Sequence, residues 1–146
     1  MMNIRSYRQA DESDVIELWR EVFPSAPARN DPLQDIALKL SEQPEYFLVA
    51  VVDGALVGTA MAGFDGHRGW VYYVAVHSSY QRRGIGSAMM REVESTLSHS
   101  GCPKVNLQIR ASNAEVQAFY ESLGYEVEER ISMGKQLDPT QGKNEL

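Results

Sequence analysis

The chain has 146 residues, 43% hydrophobic and 23% charged, the size and composition of one ordinary globular domain rather than a disordered chain or a two-domain enzyme. Its 20 acidic against 14 basic side chains leave a net charge of −6, which opposes the basic footprint of a nucleic-acid binder. A chain this long buries roughly 68–70% of its unfolded surface and needs no disulfide for a core, in keeping with the single Cys102.

The N-terminal residues lack the apolar run of a signal peptide, so a cytoplasmic protein is expected. Residues 3–8 (NIRSYR) read as a strand, and Asp11 is placed to cap a helix with Val15, Leu18, Trp19 and Val22 at helical spacing. Phe23-Pro24 ends it. After the small, polar residues 25–30, Asp31-Pro32 opens a second helix with Leu33, Ile36, Ala37 and Leu40 on one face, stopped at Pro44. Residues 46–64 (YFLVAVVDGALVGTAMAGF) are long enough to suggest a membrane span. However, Asp53-Gly54 at their centre is a hairpin signal, and an Asp at a bilayer midpoint costs about 2.5–3.5 kcal/mol. Two buried strands are expected instead, with no membrane partner.

Next come a turn-rich loop (65–69, DGHRG) and a strand over residues 70–77, apolar on both faces as at a sheet centre. Ile85, Met89, Met90, Val93 and Leu97 stripe the longest helix, over 84–100, closed by Gly101. A strand over 105–110 follows. Ser112-x-x-Glu115 then reads as a capping box for a helix carrying Val116, Phe119, Tyr120 and Leu123 on one face and closed by Gly124. Two short strands, about 125–129 and 131–137, complete one α/β domain over 1–146, and residues 138–146 read as a flexible tail.

Between the strand at 70–77 and the longest helix lies QRRGIGS, residues 81–87. Backbone N–H groups at a helix start face the positive end of its dipole, and glycine lets a phosphate approach them, so this turn is a candidate anion site with Arg82 and Arg83 at its rim. On that pattern alone an ordinary tight turn is the commoner reading. Neither the GxGxxG fingerprint nor the Walker pattern is matched.

VAVHSSYQRRGIG (74–86) followed by RASNAEVQAFYESLGY (110–125), set in this order of elements, resembles the GCN5-related N-acetyltransferases, the GNAT family. The likeness covers residues 3–137. The second motif is similar to that of ribosomal-protein alanine acetyltransferases; NDP at 30–32 and GFDGHRG at 63–69 are similar to a small bacterial branch called YpeA. The resemblance implies an α/β fold with a mixed, mostly antiparallel sheet, central splayed strands and flanking helices. It also implies acetyl-CoA as cosubstrate and an amine-bearing acceptor, either a small molecule or a protein N-terminus. Main-chain groups of Val74, Ala75 and Val76 would hold the pantetheine arm and the acetyl carbonyl. Arg82, Arg83, Gly84, Ile85, Gly86 and Ser87 would hold the pyrophosphate, Asn113 would meet the pantetheine region, and Tyr120 would protonate the departing thiolate as general acid. Many members dimerise, which leaves a homodimer open.

Two departures stand out. Ser78 replaces the family's usual proline, and Gln108 stands where the alanine acetyltransferases carry a glutamate. An amide cannot take a proton at neutral pH, so the base is unassigned and a non-catalytic acyl-CoA-binding module is the rival reading. A third reading, an unrelated nucleotide-phosphate binder, rests on the Gly-rich turn alone.

Each candidate also has a plain structural reading. Tyr120 shares a stripe with Val116 and Leu123, as a core tyrosine would, and the plain reading of Asn113 is a helix-start residue. Asn106 and Gln108 would share one face of the strand at 105–110, suggesting a wet cleft. Asp65 could orient His67 as a base, although loop residues this polar are usually solvated. His77, His99 and Cys102 receive no role, and no His/Cys/Asp cluster has metal-ligand spacing.

Overall fold

The computed structural model describes residues 1–24 and 31–137; the polar segment at 25–30 and the tail at 138–146 lie outside the described residues. The chain forms two compact units, Met1–Arg110 and Ala111–Leu146.

In the first unit β1 (Met2–Ser6) leads through a 3-10 turn to α1 (Glu12–Val22) and α2 (Pro32–Leu40), then to β2 (Phe47–Val52), β3 (Ala55–Phe64), β4 (Gly69–Val76), α3 (Ile85–His99) and β5 (Val105–Asn106). The strands lie side by side in sequence order, the first three pairings antiparallel and the last parallel. The α/β class and the mixed, mostly antiparallel sheet are as expected. The 70–77 strand, however, is fourth of five rather than at the sheet centre.

The hairpin forms where Asp53-Gly54 predicts it: both residues have positive φ, 49° and 85°, as the right-handed twist of the flanking strands favours. Alternation along β3 then sends neighbours to opposite faces. A Cβ on Gly58 would lie 2.9 Å from Met89 Sδ of α3, whereas Thr59 meets Trp19 of α1. On the α1 face Val15, Leu18, Trp19, Ile36, Phe47 and Val49 form the core, and the α3 stripe Ile85, Met89, Met90, Val93 and Leu97 is buried as its periodicity requires.

Several local expectations are corrected. Asp11 does not cap α1; its carboxylate turns back to Arg5 at 2.8 and 3.0 Å and accepts from the Arg8 N–H at 2.8 Å, because a half-buried guanidinium attracts it more strongly than a neutral helix amide. Asp31 does cap α2, accepting from Leu33 N–H, but only Ile36 of the predicted face is buried; Leu33 and Leu40 are exposed. A nine-residue helix lying on the sheet through one residue cannot bury a whole stripe. The strand predicted over 105–110 pairs with β4 only at Gly69↔Val105 and Trp70↔Asn106.

In the second unit α4 (Ala114–Ser122) is capped one residue later than predicted, by Asn113 Oδ1 accepting from Val116 N–H at 3.2 Å, and Gly124 closes it at φ 95°. Among the described residues no strand forms over 125–129 or 131–137. The apolar alternation is present, but Val127, Ile131 and Met133 are 73–91% exposed, and alternation becomes a strand only when a ladder partner satisfies its backbone.

Candidate active site

The two-residue β4–β5 ladder is the first element of the site. From Val71 onward β4 keeps β3 on one edge but has no strand on the other among the described residues of its unit. Val74, Ala75 and Val76 therefore lie on a stretch whose second edge pairs with no strand of its unit among the described residues, and the 76 carbonyl accepts from Gln81 Nε2 at 3.2 Å.

The opposite edge, toward β3, carries a bulge. Thr59 pairs with Ala75 and Met61 with Tyr72, so Ala60 alone opposes Tyr73 and Val74. Tyr73 has φ 52°, in the left-handed region. Its ring stacks on Trp19 at 3.9 Å, its hydroxyl donates to Asp35 Oδ2 of α2 at 2.5 Å, and its carbonyl accepts from Thr59 Oγ1 at 2.8 Å. Burial, then Asp35 and Asp31, hold its phenol well above the ordinary range. None of Trp19, Thr59, Tyr73 and Asp35 is read from the sequence as a site residue, Trp19 entering only as part of the α1 stripe. The one available signal was Thr59, a lone hydroxyl in the otherwise apolar run ALVGTAMAGF.

Beyond β4, His77 starts a 3-10 turn; its Nδ1 accepts from Ser79 N–H at 3.1 Å while Nε2 lies 3.0 Å from Glu21 Oε2. Both ring nitrogens are engaged in holding the strand end, so His77 is a structural clasp. Arg82 (φ 65°) and Gly84 (φ 79°) are both left-handed and bracket the exposed Arg83, whose guanidinium sits 5.0 Å over the Tyr80 ring. Gly84 is the N-cap of α3 and offers no side-chain cap, and the first intrahelical bond is Ala88 N–H to the Gly84 carbonyl. The N–H groups of Ile85, Gly86 and Ser87 are thus without helical acceptors at the positive end of a 15-residue helix. This geometry suits a phosphate group.

In the second unit Tyr120 is buried, its ring edge-on to Phe119 and Tyr125, and burial pushes its phenol up to about 12, so it keeps its proton at neutral pH. Asn113 uses its amide oxygen to cap α4, which accounts for it locally.

Other candidates are placed away from the roles considered for them. Gln108 is exposed and follows the end of β5, so the shared strand face with Asn106 is not formed. Asp65 Oδ1 accepts from the backbone N–H groups of His67 and Arg68, both at 2.8 Å, which lowers its carboxyl pKa. It therefore shapes the loop through the backbone instead of orienting the imidazole. Among the described residues no group of three His, Cys, Asp or Glu side chains could hold a metal, and no helix is long and apolar enough to cross a membrane.

The sequence profile of the acetyltransferase (GNAT) family matches residues 12–125. An acetyltransferase of Yersinia enterocolitica is 45% identical over 136 residues, 93% of this chain and 96% of its own, and one of Pectobacterium atrosepticum is equally similar over the same shares. Among solved structures, the ribosomal-protein-S18-alanine N-acetyltransferase of Escherichia coli superimposes with TM-score 0.72 at 25% identity, covering 85% of this chain and 77% of that one. The aminoglycoside N-acetyltransferase AAC(6')-Iy, solved with CoA, shares the fold at TM-score 0.77 and 21% identity over 93% and 95%.

Proposed function

From the premise that this chain belongs to the acetyltransferase (GNAT) family, we propose that it transfers the acetyl group of acetyl-CoA directly to a primary amine, on a small molecule or a protein N-terminus. The observation that carries this reading is the half-open strand β4, which leads through the loop at 77–84 to a helix start without a side-chain cap in the same unit. An extended ligand with amides along its length and a pyrophosphate at one end would meet the strand edge left without a neighbouring strand first and the helix-start N–H groups second.

Residues 74–76 orient the amide-bearing arm through the main chain. Residues 82–87 hold the diphosphate: Gly84 admits it without a Cβ, Arg82 and Arg83 add charge, and the amides of Ile85, Gly86 and Ser87 donate. Acetyl-CoA supplies an acyl group on a thiol leaving group. Tyr120, which like any phenol carries its proton at neutral pH and holds it more firmly for being buried, supplies the proton that the thiolate takes up as the C–S bond breaks. The acceptor must attack as the neutral amine, although most amines arrive as ammonium near pH 7. Gln108 can order a water but not accept a proton. The alanine N-acetyltransferase among the similar structures supports an amine acceptor.

The test is release of free thiol from acetyl-CoA across a panel of amines, amino acids and N-terminal peptides, with thermal stabilisation by CoA and ATP measured alongside. Amine-dependent release with CoA preferred is the expected result. Stabilisation by CoA without release from any amine would favour a binding module.

A further inference from the structure

The bulge in β4 is held in an unusual way. A left-handed φ in a tyrosine is costly and persists only where surrounding contacts over-determine it; glycine at position 73 would remove that cost. The side chain repays it through the Trp19 stack and the Asp35 bond. The main chain is anchored separately. Thr59 is 0% exposed and Trp19 is 2% exposed, so water does not compete for the hydrogen bonds between them. Indole nitrogen can only donate, so the 2.9 Å bond from Trp19 Nε1 occupies Thr59 Oγ1 as an acceptor and turns its proton toward the Tyr73 carbonyl, 2.8 Å away. The direction of the relay from α1 through β3 to β4 is thereby fixed.

We propose that Thr59, with Trp19 behind it, is a positioning residue for acyl transfer: it fixes the Tyr73 carbonyl, hence the plane of the following peptide and the aim of the Val74 N–H along the open edge of β4. The inference rests on the reading that the acetyl end of acetyl-CoA lies against residues 74–76. Thr59 touches no substrate in this scheme. It matters because a donor aimed at an oxygen where charge develops acts only while its direction is held, and a misplacement of about 1 Å can cost on the order of 100-fold in rate.

The experiment compares Thr59→Val, Thr59→Ser and Trp19→Phe for melting temperature, acetyl-CoA Kd, kcat with the best amine well below each variant's Tm, and exchange of the Val74 amide. Valine keeps the shape but removes the hydroxyl, so kcat should fall about 10- to 100-fold while Kd for acetyl-CoA stays within about twofold. Exchange at Val74 should quicken, and Thr59→Ser should restore both readouts. Trp19→Phe leaves the hydroxyl proton free to turn away and should show a smaller fall in kcat with the same unchanged Kd, which carries the test if Thr59→Val does not fold. A lowered Tm with unchanged kcat, a Kd that rises in step with the loss of kcat, or a serine variant as slow as the valine would each overturn the proposal. If the wild-type protein binds acetyl-CoA but acetylates no amine, the acetyltransferase reading fails on its own account. Unchanged Val74 exchange in Thr59→Val would then refute the anchoring independently.

Discussion

The two edges of β4 are finished in opposite ways. Toward β3 the strand is paired from Gly69 to Val76, and even its bulge is tied down by a buried hydroxyl; toward β5 it is paired only at Gly69 and Trp70. On the closed edge the chain satisfies its own polar groups. On the open edge, from Val71 onward, no strand of the same unit satisfies them among the described residues. Buried backbone groups are seldom left unpaired, so the contrast separates residues that matter for folding from residues that matter once a ligand is present.

The largest expected effect tests whether chemistry accompanies the open edge. Tyr120→Phe keeps the ring against Phe119 and Tyr125 and removes only the hydroxyl. Turnover should fall about 10²- to 10⁴-fold with acetyl-CoA affinity nearly unchanged, if proton delivery to sulfur limits the rate. Single-turnover thiol release measures it directly, and undiminished release would return Tyr120 to a packing role.

Gly84→Val tests the far end of the same edge. A Cβ at Gly84 meets nothing within 4 Å, so the cost comes from φ 79°, which a β-branched residue avoids. In the native protein, acetyl-CoA at a hundred times its Kd should add about 2.7 kcal/mol of stability. The variant should fold but lose that increment, as read by thermal shift; a full shift would exclude the loop as the phosphate site.

A change remote from the open edge should behave in the reverse way. Asp11→Asn breaks a half-buried, two-bond pairing with Arg5 and weakens the bond from Arg8 N–H, at a cost of about 2 kcal/mol. Calorimetry should show a Tm lower by several degrees with the acetyl-CoA increment intact. Arg5 holds the Asp11 carboxyl below its ordinary value of 3.8, so the wild-type contribution is present above that value and is lost as pH falls through the lower, folded pKa. The asparagine variant should lack this acid-side loss of stability.

Legibility in the sequence followed the same division. The α3 stripe, the Asp53-Gly54 turn and the Asp31 cap were readable because each is a local pattern with a local physical cause. The helix start at Gly84 was readable because glycine takes the left-handed φ with which the chain turns into the helix. The bulge was not, since it depends on Thr59 and Trp19 meeting Tyr73 across 14 residues or more of chain, and no periodicity records a tertiary hydrogen bond. The end of β5 at Asn106 was hidden for the same reason: the apolar alternation continues to Ile109, while pairing stops where β4 no longer offers a partner.

The smallest expected effect concerns residue 108, two positions past the last paired residue of β5. The glutamine cannot take a proton from the acceptor, so native activity should rise with pH as the neutral amine becomes available, unless His67 or a carboxylate elsewhere supplies the base. Gln108→Glu adds a carboxylate at an exposed position, where water can carry a proton between it and the amine. The variant should fold normally, change its maximal rate by less than about tenfold, and show an acid limb displaced to lower pH. The measurement is kcat/KM against pH for both proteins with one amine of known pKa. Superimposable profiles in an active variant would show that deprotonation does not pass through this side of the open edge, and His67→Ala would be the next variant to examine.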